Sequence, residues 1–293
     1  MGEHKKYTAP LGKRETYSPE MREAVYLKLN ALWAKPEPGA FTVAYSGGLD
    51  STIVAWIMGK RFTGEIHLWT LHHNYGSLFV DWSRKHAADL ARIFGPGRVF
   101  HTIYNVSQTF KQLTLNSLTA DWRKFGGHFI WCLGCQLSMM TEIIAYNLIR
   151  GIPRVFLCSS VGGEYAVMSM PATRTAKARI YRTYGIDYRF PLLEMNVTKP
   201  EERMLMEDAG MWPGYRFRRG VHGVQPICIP GLQHIGDVLL DMHTAYPPDG
   251  VTGYINSREE MMREIVEQRI ADTGLNIDEL IARNQQQLEE QIW

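Results

Sequence analysis

Apolar positions along the chain follow two spacings in alternation. Unbroken apolar runs of strand length occur in "AFTVAYS" (40–46), "EIHLWTLHHN" (65–74), "RVFHTIYNV" (98–106) and "RVFLCSSV" (154–161), rich in β-branched and aromatic residues. Between them, apolar residues recur at helical spacing in "PEMREAVYLKLNALWA" (about Pro19 to Ala34), "STIVAWIMGKR" (51–61), "DWSRKHAADLARIFG" (81–95) and "LSMMTEIIAYNLIRG" (137–151). "DYRFPLLEM" (187–195) adds a short fifth strand. This succession predicts an α/β fold: a doubly wound, mostly parallel five-stranded sheet with helices on both faces and ligands beyond the carboxyl ends of its strands. From about Pro200 the chain changes character. "KPEERMLMEDAG" is helical, "GYRFRRGVHGVQPICIPG" is rich in Gly and Arg, and a helical tail after Ser257 reads as an appendage. The expected organisation is an N-terminal helical segment (1–38), the sheet domain (39–200) and a helical C-terminal extension (201–293), without internal repeats.

Composition narrows the class. With 293 residues, 45% hydrophobic and 21% charged, the chain buries a sizeable core. Lys and Arg number 32 against 30 Asp and Glu, a net charge of +2, so no global field argues for nucleic acid. No apolar run approaches a membrane span and the N-terminus lacks the apolar core of a signal peptide, so the expected setting is cytoplasmic, without a membrane partner. Four cysteines in such a chain imply reduced thiols with a metal or chemical task rather than a disulfide framework.

The densest chemistry lies in "AYSGGLDSTIVAWIMG" (44–59). A strand ending in Ser-Gly-Gly and running into Asp-Ser and a helix presents backbone N–H groups at a helix N-terminus, a ready anion site. Its spacing is neither the Walker pattern nor the dinucleotide fingerprint. "SGGLDS" resembles the SGGxDS signature of the PP-loop ATP pyrophosphatases, which adenylate a substrate oxygen and release pyrophosphate. The resemblance implies a Rossmann-like sheet of the HUP/PP-loop type. It also implies ATP phosphates held by Ser46, Gly47, Gly48, Asp50 and Ser51, with Asp50 placed to engage Mg²⁺.

"FIWCLGCQLS" carries Cys132 and Cys135 at the mouth of the predicted helix, and Cys228 lies far along in "VQPICIPG". A CxxC pair serves as a metal half-site, a redox pair or two small core residues. The two-plus-one arrangement is similar to that of the iron–sulfur-dependent PP-loop tRNA thiolases. That similarity implies a 4Fe-4S cluster on Cys132, Cys135 and Cys228 whose fourth iron is open for sulfur. Three alternatives stand beside it: structural zinc completed by His222 or His234, persulfide chemistry on one cysteine, and plain buried thiols. Cys158, inside a strand, reads as a core residue near the presumed site.

"YRFPLLEMNVTKPEE" resembles the Arg-Pro-Leu segment of these thiolases, with Arg189 a phosphate candidate, Pro191, Leu192 and nearby Glu194, although Phe190 separates Arg from Pro. After the fourth strand the family's Gly-His and acidic residues are replaced by Ser159, Ser160, Gly162, Gly163 and Glu164. His72 and His73 end the second strand, where the family's fold puts adenosine. Two basic stretches interleave aromatics: Arg174, Lys177, Arg179 and Arg182 with Tyr181 and Tyr184, and Arg216, Arg218 and Arg219 with Tyr215 and Phe217. They suit an RNA surface, a solvated face or a loop closing over ATP. The resemblance covers roughly residues 40 to 230. It implies an ATP-dependent sulfurtransferase, possible as a homodimer, that takes ATP, a sulfur donor and either a tRNA base or a small heterocycle. ATP-dependent amidation or ligation, with structural zinc, is the rival enzyme, and a non-catalytic nucleotide- or RNA-binding module the rival outside enzymes.

Overall fold

The computed structural model describes residues 17–127, 129–161, 167–213, 226–229 and 246–290, with the backbone of 215–217 and 220–222. The chain opens with α1 (Pro19–Trp33), whose cap Ser18 accepts from the Met21 N–H at 3.1 Å and whose first position is a proline. Then come β1 (Phe41–Ala44), α2 (Leu49–Arg61), β2 (Ile66–His72), β3 (Ser77–Leu78), α3 (Ser83–Phe94) and β4 (Val99–Asn105). Two short helices follow, α4 (Ser107–Leu113) and α5 (Leu118–Phe125), then the long α6 (Phe129–Arg150), β5 (Arg154–Phe156), α7 (Pro171–Thr183), β6 (Asp187–Arg189), α8 (Pro191–Glu194) and α9 (Lys199–Asp208). The ribbon β7 (Tyr215–Phe217) and β8 (Gly220–His222), strand β9 (Ile227–Cys228) and helices α10 (Pro248–Ala271) and α11 (Ile277–Glu289) complete it.

Five strands form one parallel sheet in the order β4-β2-β1-β5-β6. The expected doubly wound α/β class with a helical C-terminal region is what the chain adopts. Central β1 is covered on both faces, which is why Phe41, Thr42 and Val43 are all buried and the sequence there is a continuous apolar run. The chain winds outward from β1 through β2 to β4, then returns to place β5 and β6 on the other side. The strand order therefore reverses between β1 and β5, and the crevice at their carboxyl ends is where such sheets bind ligands.

Several elements differ from expectation, each for a packing reason. The fourth and fifth strands stop at Phe156 and Arg189, where the Leu157 N–H makes a last bond to the Arg189 carbonyl at 2.9 Å and Pro191 starts a helical turn. Helix α6 begins eight residues before the predicted start, so Cys132 and Cys135 lie within its first turns, not at its mouth. An 18-residue window of α6 is apolar enough to cross a membrane, contrary to the sequence reading, yet 72% of it is buried inside the protein as a core helix. The tail read as an appendage shares that core: Val251, Tyr254, Ile255, Met262, Val266 and Ile270 of α10 cluster with Leu133, Leu137 and Ile144 of α6.

Gly134, between the two cysteines, permits this approach. A Cβ there would overlap Thr114 Oγ1 and lie 2.7 Å from the Tyr254 hydroxyl. Gly134→Ala is expected to cost about 1–3 kcal/mol by overpacking, read as a melting temperature several degrees lower. An unchanged melting curve would mean that α10 does not press on this turn.

Candidate active site at the carboxyl edge of the sheet

The phosphate loop is built as the sequence suggests. Gly47 sits at φ +75°, a conformation glycine adopts without strain, and Gly48 caps α2. Ser46 Oγ accepts from the Gly48 N–H at 3.2 Å and lies 3.2 Å from Ser51 Oγ, which donates to the Gly48 carbonyl at 3.2 Å. Thr52 Oγ1 donates to the same carbonyl at 2.8 Å. These bonds fix the loop at the N-terminus, the positive end, of a helix of 13 residues. His86 clamps the loop from α3, with Nδ1 2.7 Å from the Gly47 carbonyl and Nε2 2.8 Å from the Trp212 carbonyl. Burial lowers its pKa against the pull of both carbonyls. A neutral ring donates to only one of them.

Asp50 projects from the first turn of α2 and is ion-paired to Lys199, which also lies 3.4 Å from Glu202 Oε2. Both partners come from α9, whose start is fixed by a capping box between Thr198 and Glu201. Glu202 is fully buried and its Oε1 has no hydrogen-bond partner. Burial pushes its carboxyl well above the ordinary range, with the Asp50 charge adding and Lys199 opposing. For Lys199, burial works against the charge, but Asp50 and Glu202 outweigh it and raise the pKa. Lys199 and Glu202 were missed in the sequence. The Thr-Lys-Pro-Glu pattern at 198–201 marks a helix start, but only the fold aims that start at Asp50.

Cys158 belongs to this same corner. Its Sγ donates to the Ala44 carbonyl at 3.5 Å, and burial, then the charges of Asp50 and Glu202, push the thiol well up. The fold is a doubly wound, Rossmann-like α/β sheet. No family model and no curated protein matches the chain. Among solved structures, the U34-tRNA thiolase NcsA of Methanococcus maripaludis, with its 4Fe-4S cluster, aligns at TM-score 0.44 and 9% identity, over 85% of this chain and 82% of that one. A tRNA methyltransferase subunit of Methanocaldococcus jannaschii aligns at TM-score 0.36 and 14% identity, over 65% of this chain and 96% of that one. At these values function has to be argued from the side chains themselves.

The three other cysteines converge. Cys132 and Cys135 stand three apart on one face of α6. Strand β9 pairs antiparallel with β3, setting Cys228 opposite Ser77, just beyond the carboxyl end of β2. Burial first and Cys228 second push the Cys132 thiol up to about 12. Cys135 is raised by burial, Cys228 and Cys132, with Lys177 opposing. All four cysteines are free thiols. Among the described residues, no three His, Cys, Asp or Glu side chains form the close set a single ion needs. Of the proposed zinc ligands, His234 and the His222 side chain lie outside the described residues, as do Gly162, Gly163, Glu164, Arg218, Arg219 and the Arg216 side chain.

The first basic stretch turns its aromatics and one lysine inward and leaves Arg179 and Arg182 exposed. It forms α7 and its cap Tyr184, where Lys177, Tyr181 and Tyr184 are buried and Arg179 is tied to Glu259. Burial lowers Lys177 to about 7, with Cys135 opposing, and its Nζ donates to Gln136. Arg189 ends β6 as expected, but Glu194 receives its guanidinium at 2.6 and 2.9 Å, so a phosphate would compete with a carboxylate there. His72 ends β2, partly exposed, at the edge of the same crevice, and burial lowers its pKa.

His73 faces inward instead. It is fully buried and stacked on Phe110 at 4.3 Å, and its Nδ1 accepts from the Tyr75 N–H at 3.2 Å. Burial lowers its pKa to about 4, and that of His101 likewise to about 4. Between pH 6.5 and 4 the unfolded chain takes up protons that the folded one refuses, so stability is full above pH 6.5 and falls towards pH 4. For His73 the loss is on the order of 2 kcal/mol. His73→Phe is expected to flatten this part of a denaturation-against-pH series, and an unaltered slope would place the acid sensitivity elsewhere.

Proposed function

We propose that the protein is an ATP-dependent sulfurtransferase, adenylating a carbonyl oxygen of an acceptor heterocycle and exchanging that oxygen for sulfur. The observation that carries this reading is the meeting of Cys132, Cys135 and Cys228 at the sheet edge that also bears the SGGLDS loop. A large sheet domain needs no metal to fold, so three thiols gathered at its ligand-binding edge argue for chemistry.

The loop N–H groups, Ser46 and Ser51 bind the phosphates, Asp50 holds Mg²⁺, and Lys199 is freed from Asp50 to meet the phosphate charge. The acceptor oxygen attacks the α-phosphorus and pyrophosphate leaves. The O-adenylated carbon is then open to a sulfide equivalent from the sulfur donor. The C–O bond breaks, AMP departs with the oxygen, and C=S remains. Cys132, Cys135 and Cys228 would hold a 4Fe-4S cluster. That group supplies an iron free to bind sulfur. Lys177, which burial lowers to about 7, is drawn towards its charged form by Cys135. The acceptor is a tRNA base or a small heterocycle.

The test is iron, acid-labile sulfide and zinc analysis with a visible spectrum on protein purified without oxygen, alongside ATP–pyrophosphate exchange. About four irons per chain with nucleotide-dependent exchange supports the reading. Exchange with one tight zinc and no iron would replace it by amidation or ligation.

A further inference from the structure

Nine large apolar side chains are exposed among the described residues, and five of them, Tyr75, Leu78, Phe79, Trp82 and Ile229, belong to one place: the β3–β9 ribbon and its flanks. So dense an exposed patch marks an interaction surface. Its centre is a pair of parallel rings: Phe79 and Trp82 stack with centroids 4.4 Å apart and 10° between planes, 50% and 37% exposed. Phe79 reaches this position at φ +56°, a left-handed conformation that a bulky residue rarely adopts, with its carbonyl accepting from the Trp82 N–H at 3.0 Å. Strain kept in an exposed turn points to a use for the geometry.

The ribbon identifies the occupant. Register sets Ser77 opposite Cys228 and Leu78 opposite Ile227, and the Ile229 N–H donates to the Gly76 carbonyl at 2.8 Å. The ledge and the third thiol are therefore carried by the same pair of strands, directly after β2. At the same edge lie exposed amides: Asn105 Nδ2 donates to Asn74 Oδ1 at 3.2 Å, and Ser107 Oγ accepts from the Asn74 N–H at 2.9 Å. A flat aromatic face beside amide donors and acceptors suits an unstacked base, which offers a π-face and a polar edge.

We propose that Phe79 and Trp82 form a stacking platform for an unpaired base of an RNA strand, holding the acceptor strand beside Cys228. This rests on the sulfur-transfer reading for its purpose, though not for its test. The probe is a mixed-sequence single-stranded RNA 12-mer, with a blunt duplex of the same sequence as control. Tryptophan fluorescence of the wild type is expected to be quenched by the single strand and not by the duplex. Phe79→Ala/Trp82→Ala is expected to bind the single strand roughly 10- to 100-fold more weakly, with iron content unchanged. Phe79→Gly removes the ring while relieving the left-handed strain, so it should weaken binding without lowering the melting temperature, which separates lost stacking from lost folding. Undiminished RNA binding in the double variant overturns the platform. So does a concentration-dependent dimer of the wild type that the double variant abolishes, since the occupant would then be a second copy of the chain. Iron without RNA binding would remove the platform and leave sulfur transfer standing, while ledge-dependent binding without iron would do the reverse.

Discussion

Asp50→Asn is expected to lower ATP-dependent pyrophosphate release by about 10²- to 10³-fold, corresponding to several kcal/mol of lost charge stabilisation. The carboxylate stands in the first turn of α2, above the loop N–H groups, and holds Lys199 in the free protein. Asparagine keeps the shape and one acceptor oxygen but takes away the charge that would bind a divalent cation. Without the Asp50 charge, Lys199 keeps Glu202 as a partner and the buried Glu202 is relieved of a like charge, so the variant should melt close to the wild type. Pyrophosphate release measured across a Mg²⁺ titration is the check. Activity within tenfold of the wild type at all Mg²⁺ concentrations would remove Asp50 from the metal site.

Cys135→Ala is expected to strip the bound iron from about four per chain to less than one and to abolish thiolated product, while ATP–pyrophosphate exchange persists. Cys135 is the thiol that interacts with both other members of the trio and with Lys177. Two thiolates, one on α6 and one on β9, cannot retain a cluster that three hold. Cys158→Ala is the contrast, because Cys158 faces Asp50 and Glu202 and should leave iron content intact. A Cys135→Ala protein that remained brown with full iron would refute the ligand set.

What the sequence disclosed follows from which forces are local. The strand at 40–46 and the helix after it were legible because a buried parallel strand leaves an unbroken apolar run and a tight strand-to-helix turn demands glycine. The pairing of β3 with β9 was not legible. Each strand is two residues long and the partners are far apart in the chain, so no local periodicity announces them. Helix α7 looked like a basic, aromatic surface. Only its packing against α6 and α10 decides that Lys177 and Tyr181 point inward, and a buried lysine reads the same in sequence as a solvated one. Lys199 and Glu202 were hidden for a related reason: their closeness to Asp50 is a property of the strand reversal between β1 and β5.

The brace that α10 provides at Gly134 has a consequence for how the protein matures. The turn of α6 bearing Cys132 and Cys135 packs closely on Thr114 and Tyr254, and the third thiol arrives on β9, so the three sulfurs are held together only once the chain through α10 has been made. Loading of the proposed cluster would then be a late event, carried out on a folded apoprotein, and a chain truncated before α10 is expected to be made but never charged with iron.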